Sequence, residues 1–483
     1  MGKLKTNFIY QSAYELLIIL LPLITSPYIS RVLGAERIGI YSYTYSIANY
    51  FVLFAMLGIK NYGNRMIAKV RDDREKLNKT FSSIFCLHVL ISVFVIGIYV
   101  FYTLFIVKED RLYAFIQGTY VLGALFDINW FYFGIEKFKL TVTRNTIIKI
   151  LTVVSIFTFV KSQNDLWIYV TIMALGSFIS QSIVWFFLRR YVSFTKPTWD
   201  DVKVHFAPMV ILFIPAIAVS LYKVMDKIML GNMANKIQVG FYENSEKIIN
   251  IPMTIITAFG TVMLPRMSNM ISNGDKKGTE KFIKTSMKYI MCLAFALGFG
   301  IAGISHEFVP IFFGEEFLVC GPLITALAVT VPFIAFANII RTQYLIPSCE
   351  DRIYIISVFI GAIVNVVINL LLIGKLQAMG TVVGTIFAEI AVCVVQAFYV
   401  RKKLPIVSYI KSFIMFTIPG AIMYIVVRII GNVMGVSIHT LVLEVLVGGL
   451  SYLLLVILYL VMTKDEMTMT FIKKLKKRNV KFE

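Results

Sequence analysis

Apolar segments of about twenty residues follow one another along nearly the whole of this 483-residue chain, and that succession constrains the fold more than any other feature. A helix needs roughly 20 predominantly apolar residues to cross the hydrocarbon core of a bilayer. Segments of this kind lie near residues 10–30, 40–59, 81–107, 112–134, 146–160, 166–188, 207–230, 247–264, 287–312, 320–346, 353–373, 379–400, 407–430 and 440–463. Lipid offers no hydrogen bonds to a bare backbone, so each must be a helix. The expected fold is therefore all-α and integral to the membrane, with about fourteen transmembrane helices. The composition agrees, being 58% hydrophobic and only 15% charged. No stretch is left over for a soluble catalytic domain. The basic start, Lys3 and Lys5, runs on through Pro22 and Pro27 without a small-residue cleavage site and is read as the first span.

A net charge of +20 raises the question of nucleic acid, and the placement of the charge excludes it. With a cytoplasmic N-terminus, most of the 47 basic residues fall on inner segments, among them Lys60–Lys79, Lys137–Arg144, Arg189–Lys203, Arg266–Lys288, Arg401–Lys411 and Lys464–Lys481. The outer side holds few, and Glu307, Glu315 and Glu316 face it. This is the positive-inside bias, and it puts both termini in the cytoplasm. The five cysteines and four histidines are scattered without paired spacing, so neither a disulfide nor a metal site nor a cofactor is expected.

The chain also repeats itself. At an offset of 201 residues Gly39 pairs with Gly240, Tyr41 with Tyr242, Ile47 with Ile248, Asn49 with Asn250, Arg65 with Arg266 and Met66 with Met267. Leu33-Gly34 matches Leu230-Gly231 just upstream. Six spans separate the copies, so both halves enter the membrane in the same direction, as in transporters built from two parallel six-helix bundles. The expected division is a bundle over 1–192, an interfacial linker over 193–206 and a second bundle over 207–403. Two further helices over 404–463 have no counterpart in the first half, and a basic cytoplasmic tail over 464–483 follows. Prolines 22 and 27 in the first span and 208 and 215 in the seventh occupy corresponding places. They mark either interrupted, cavity-lining helices or only the tolerance of membrane helices for proline.

Ionisable side chains inside spans cost roughly 2.5–3.5 kcal/mol each at the bilayer centre and therefore point to wet interiors. Lys223, Asp226 and Lys227 share a helical face by their spacing, with two cations against one anion. Arg341 lies late in the tenth span, and Asp127, Asn129 and Trp130 late in the fourth. Arg31 ends the first span and Lys149 sits in the fifth, each facing a cavity or snorkelling to a surface. Glu389 and Glu444 carry protons or hydrogen-bond a neighbouring helix. Tyr41, Tyr43, Tyr45 and Tyr50 with Asn49 stack on sugars or form an interfacial belt. A nucleotide-binding loop is missing, since Gly274–Thr279 lacks the spacing.

The stretch Ser30-Arg31-Val32-Leu33-Gly34 with Gly39 and Tyr41, then Leu57-Gly58 and Tyr62-Gly63, resembles the opening of the polysaccharide-repeat-unit (Wzx-type) flippases of bacterial capsule and O-antigen pathways. Two later blocks fit as well: Asp226-Lys227, Leu230-Gly231, Gly240, Tyr242 and Pro265-Arg266, and Arg341–Gln343, Pro347, Asn365, Asn369, Gly380, Gly384 and Glu389. The resemblance implies the multidrug/oligosaccharidyl-lipid/polysaccharide exporter fold, two pseudo-symmetric six-helix bundles around a cavity plus two C-terminal helices. In the related peptidoglycan-precursor flippase, arginines ending the first helix bind pyrophosphate, and Arg31 is the matching position. An Asp beside that arginine is usual and is absent here.

The function implied is transport without catalysis. An undecaprenyl-pyrophosphate-linked oligosaccharide would pass from the inner to the outer leaflet of the bacterial cytoplasmic membrane by alternating access through a cationic cavity. Arg31, Lys149, Lys223, Lys227, Arg341 and Asn129 are the expected substrate-binding residues, and Asp127, Asp226 and Glu389 the expected ion-coupling residues. Coupling to a proton or sodium gradient, contact with membrane lipids, and a polysaccharide polymerase and chain-length regulator as partners are further expectations. The rivals are an ion-coupled multidrug exporter on the same fold, which would prefer an acidic cavity, and an integral-membrane polysaccharide polymerase, which would need a large outer loop.

Overall fold

The computed structural model describes residues 2–464, with side chains described from Leu21 onward apart from Tyr222 and Ser412. The tail expected beyond Lys464 lies outside the described residues. In chain order the helices are α1 (Gly2–Met56), α2 (Ile59–Val70), α3 (Arg74–Phe101), α4 (Arg111–Leu125), α5 (Asn129–Gly134), α6 (Phe138–Phe159), α7 (Leu166–Ile183), α8 (Trp185–Leu188), α9 (Trp199–Lys203) and α10 (Phe206–Lys223). They continue with α11 (Met225–Met233), α12 (Lys236–Ser272), α13 (Lys276–Phe312), α14 (Cys320–Leu327), α15 (Thr330–Ile340), α16 (Asp351–Leu376), α17 (Ala378–Val400), α18 (Ile406–Met434) and α19 (Ile438–Met462).

Among the described residues, twelve helices are long and apolar enough to cross a membrane. The difference from about fourteen has local causes. The first two expected spans are one 55-residue helix, α1, without an intervening loop. At about 1.5 Å per residue it is more than twice as long as a ~30 Å hydrocarbon core is thick. Its two legs meet at Gly34, whose backbone (φ 77°, ψ 172°) lies outside the helical region and is open to glycine because it carries no Cβ. The span expected over 112–134 divides into α4 and α5, of 15 and 6 residues, with Asp127 between them.

Of the two readings of the prolines, tolerance inside the helix is the one observed. α1 runs through Pro22 and Pro27, and α10 runs through Pro215. The seventh span breaks instead at Val224 (φ −105°, ψ −35°), between α10 and α11. The short helix expected in the linker is present as α9. Thr198 caps it by accepting from the Asp201 N–H, while the Asp201 carboxylate accepts from the Thr198 N–H at 3.2 Å, a reciprocal capping box.

Packing divides the chain into two compact units, Met1–Lys247 with Val358–Ala388, and Ile248–Ser357 with Glu389–Glu483. In the first unit an aromatic core gathers around Trp130 and Phe131, with Phe81 stacked on Trp130 at 5.5 Å. Gly63 admits this, since a Cβ there would lie 2.5 Å from the Trp130 ring. In the second unit α13, α18 and α19 pack together. α19 buries Thr440, Glu444, Gly448, Tyr452 and Val456 at four-residue intervals and turns Leu446, Leu450, Leu453 and Leu458 outward. Large apolar side chains outside and polar ones inside are what lipid as solvent requires.

Candidate functional site

The two sequence repeats meet inside the first unit. α1 crosses α12 at Gly39 and Gly240, the residues that the 201-residue offset makes equivalent. A Cβ on Gly39 would fall 1.6 Å from the Lys236 carbonyl oxygen, and one on Gly240 would fall 2.0 Å from that of Ala35. Only glycine lets two backbones approach so closely. One helical turn on, Ser42 donates to Glu243 Oε2 at 2.8 Å, again across an offset of 201 residues. Equivalent residues of a two-fold repeat touch only near its axis, so this crossing marks the pseudo-symmetry axis.

A partly buried ionic cluster hangs from the crossing. Lys227 Nζ bonds Glu243 Oε2 at 2.6 Å and Glu246 Oε2 at 2.9 Å, and Lys247 approaches Glu243 Oε1 at 3.3 Å. Asp226, the residue before Lys227, points the other way, because consecutive helical residues diverge by about 100°. Its carboxylate is 1% exposed and accepts from Asn369 Nδ2 at 2.6 Å, from Thr385 Oγ1 at 2.9 Å and from Tyr242 OH at 2.9 Å. Asn369 Nδ2 also reaches Asn365 Oδ1 at 3.2 Å. Asn369 Oδ1 and Thr381 Oγ1 are buried without hydrogen-bond partners. The result is a buried shell of amide and hydroxyl groups around one carboxylate. A Cβ on Gly384 would lie 2.2 Å from Asn369 Oδ1, so that glycine sets how close α17 comes to Asn369.

These contacts correct the expectation of unmatched positive charge at Lys223, Asp226 and Lys227. Lys227 is balanced by two glutamates that sequence reasoning passes over. Both precede the span expected over 247–264, whereas α12 starts at Lys236 and carries them on its first turns. Counting Lys227 and Lys247 against Asp226, Glu243 and Glu246, the cluster holds more negative than positive groups. Lys223 ends α10 on the far side of the Val224 break and is exposed.

The other expected residues are dispersed. Asp127 accepts from the Asn129 backbone N–H at 3.0 Å and from its amide at 2.7 Å. Asn129 in turn donates to Gln181 Oε1 at 2.7 Å and accepts from Arg144 at 3.1 Å. Arg144, read from sequence only as an inner-surface charge, is thus a buried member of this network. Lys149 stands in the wall of a cavity with Asn145 and Gln181. Arg31 is exposed on the first leg of α1. In the second unit Arg341 opens a π-helical turn, Arg341–Leu345, donates to Asn338 Oδ1 at 2.8 Å and lies over the Tyr354 ring. Glu389 is buried there. A pair that sequence reasoning misses, Arg428 and Glu307, is joined at 2.6 Å between α18 and α13. Among the described residues no group of three or more His, Cys, Asp or Glu is placed to hold a metal ion.

Residues 4–271, more than half of the chain, match the model of the family described as polysaccharide biosynthesis protein. The chain belongs to that family. A candidate O-antigen transporter of Shigella dysenteriae is 23% identical over 376 residues, covering 77% of this chain and 94% of the relative. One from Escherichia coli K12 is 26% identical over 253 residues, covering 51% of this chain and 60% of the relative. Among solved structures, the lipid II flippase MurJ in an inward closed conformation superposes with a TM-score of 0.75 at 16% identity, covering 94% of this chain and 99% of that one. An inward-facing multidrug-resistance MATE transporter gives 0.55 at 14% identity, with 81% and 99% covered. The chain is thus an all-helical, multi-pass membrane protein with the fold of these transporters, and the resemblance to polysaccharide flippases carried by its motifs holds.

Proposed function

We propose that this protein is a flippase for a lipid-linked oligosaccharide, moving undecaprenyl-pyrophosphate-linked repeat units from the inner to the outer leaflet of the bacterial cytoplasmic membrane, with both termini cytoplasmic. The observation that carries the proposal is the family match over residues 4–271, with the cluster at the crossing of the repeats, Asp226 and its shell beside the partly buried Lys227–Glu243–Glu246 network, as the charged machinery inside the first unit. Charged groups are kept inside a membrane protein at a cost and mark the pathway or the coupling machinery. The O-antigen transporter relatives and the lipid II flippase fold support the substrate class.

In this reading Asp226, with the side-chain oxygens of Asn365, Asn369, Thr381 and Thr385, takes up the coupling cation, sodium or a proton. A small hard cation prefers such oxygen ligands, and the buried carboxylate is completed when it is bound. Arg31 and Lys223 contact the diphosphate, whose charges need cationic partners to leave water. The prenyl chain stays in lipid. Access to the site alternates between the two sides of the membrane, as in transporters built from repeated bundles. A polymerase and a chain-length regulator would receive the product.

The test is reconstitution of the purified chain in liposomes carrying a lipid-linked oligosaccharide in the inner leaflet. Appearance of the glycan at the outer surface, faster than in empty liposomes and driven by a sodium or proton gradient, is expected. An Asp226→Asn variant should lose the gradient dependence. Equal rates with and without protein would overturn the proposal.

A further inference from the structure

In the second unit α13, α18 and α19 bring two carboxyl groups together. Glu307 of α13, Arg428 of α18 and Glu444 of α19 lie roughly 8–9 Å inside the nearer ends of their helices, at about 1.5 Å per residue, and so within the apolar spans. Three glycines let the helices close around them. A Cβ on Gly448 would lie 2.6 Å from the Val427 side chain, and one on Gly303 would lie 2.9 Å from the same side chain. A Cβ on Gly431 would lie 2.4 Å from Glu307 Oε1 and 2.5 Å from Glu444 Oε1, so the two carboxyl oxygens converge on one point of the α18 backbone. Packing this close leaves the carboxyl groups to satisfy each other.

The charges around Glu444 do not balance. Arg428 Nη1 donates to Glu307 Oε2 at 2.6 Å and to the Gly303 carbonyl oxygen at 3.1 Å, and its Nη2 donates to Asn432 Oδ1 at 3.1 Å. None of these bonds reaches Glu444, which is 0% exposed and has both carboxyl oxygens buried without a hydrogen-bond partner. Among the described residues, the charged groups acting on it are Glu307 and Arg428. Toward the same end stand His306 on α13, Glu315 and Glu316 just after it, and His439 on α19, all exposed. As an anion, Glu444 would put two buried negative charges against one guanidinium, an excess that an apolar interior does not tolerate. As an acid it is neutral and gains the O–H donor that a carboxylate lacks, and the acceptor it faces is Glu307. Two carboxyl groups in one site do not both ionise but share a proton.

We propose that Glu307 and Glu444 bind one proton between them at neutral pH, a proton site in the second unit separate from Asp226, and that this proton ties α19 to α13. Taken from water, the proton rests on Glu444 and is donated to Glu307 Oε1, while Arg428 holds the other oxygen of Glu307. When it leaves, two buried carboxylates face each other across one guanidinium, the link between the helices is lost and their charges push α19 from α13. The inference stands on the second unit alone and does not depend on the flippase reading.

Infrared spectroscopy of the full chain in detergent, recorded through a pH titration in light and heavy water, tests it. At neutral pH the wild type is expected to show the C=O band of a protonated, hydrogen-bonded carboxyl that is lost in Glu444→Gln. Glu307→Gln should lose the same band, because Glu444 is then the one carboxylate beside Arg428 and ionises. Asp226→Asn should keep it, and gel filtration confirms that each variant is folded. Raising the pH until the band disappears should lower the wild-type melting temperature in a step that Glu444→Gln does not show, since its amide keeps a donor without the charge. A wild type without the band, a band that survives in Glu444→Gln or Glu307→Gln, or one lost in Asp226→Asn would overturn the proposal. So would sodium that raises the melting temperature at constant pH in the wild type and not in Glu444→Gln, which would put a metal ion at the pair.

Discussion

The crossing of the repeats at Gly39 is open to a direct test by adding one methyl group. In Gly39→Ala the new Cβ would sit 1.6 Å from the Lys236 carbonyl oxygen and 2.6 Å from its carbon, both backbone atoms that no rotamer change can move. Restoring ordinary contact at about 3.5–4 Å requires α1 and α12 to separate by roughly 2 Å. Overpacking of this kind costs about 1–3 kcal/mol. The separation also draws Ser42 away from Glu243, which now accepts at 2.8 Å, and loses a hydrogen bond to a charged group worth about 1.5–3 kcal/mol. Against this stands the helix propensity of alanine over glycine, about 1 kcal/mol. The net expectation is a loss of about 1.5–5 kcal/mol, read as a lower melting temperature in detergent and reduced surface polysaccharide in cells. Gly97→Ala is the control, since nothing lies within 4 Å of a Cβ there and only the propensity gain remains. A Gly39→Ala protein that melts at or above the wild-type temperature and exports normally would refute the close crossing and the axis placed on it.

Other outcomes follow from the same geometry. Lys227→Met leaves the partly buried Glu243 and Glu246 without their shared cation and should destabilise the fold by about 1.5–3 kcal/mol, with partial recovery when Glu243→Gln is added, measured by thermal unfolding. Gly384→Ala drives a methyl to 2.2 Å from Asn369 Oδ1, so transport should lose its gradient dependence while the melting temperature falls less than in Gly39→Ala. Arg428→Gln strands Glu307, which is 4% exposed, and should cost about 3–5 kcal/mol, with Glu307→Gln restoring stability in the double variant. At the start of α3, outside the spans, the Lys76 backbone N–H holds the Asp73 carboxyl below the usual carboxylate range. Its capping is therefore complete above the unfolded value of about 3.9 and is lost as pH falls through the depressed folded value, which hydrogen exchange at the first turn of α3 should report.

The membrane class is readable because hydropathy acts locally. A run such as Ile353–Ile373 has one viable solvent whatever it packs against. The repeat is readable at Gly39 and Gly240, and at Tyr41 and Tyr242, because the close crossing tolerates no side chain at its glycines. Breaks and partners are a different matter. Pro22, Pro27 and Pro215 read equally as interruptions or as tolerated residues, and only the structure shows them carried inside helices, with the breaks at Gly34 and Val224. Arg144 reads as a surface charge because Asn129, which holds it together with the adjacent Asn145, meets it only when α5 and α6 are folded together. Glu243 and Glu246 at a three-residue spacing are the available signal for the partners of Lys227, and it is hidden when the start of α12 is placed at 247.

The amino-acid order alone settled that this chain lives in lipid as a succession of helices and that its halves repeat one pattern, since both follow from composition and spacing along the chain. Tertiary structure decided where each buried charge finds its complement. Asp226 meets Asn369 from 143 residues away and Ser42 meets Glu243 from 201, and such pairings depend on how helices pack in three dimensions, which no local pattern encodes.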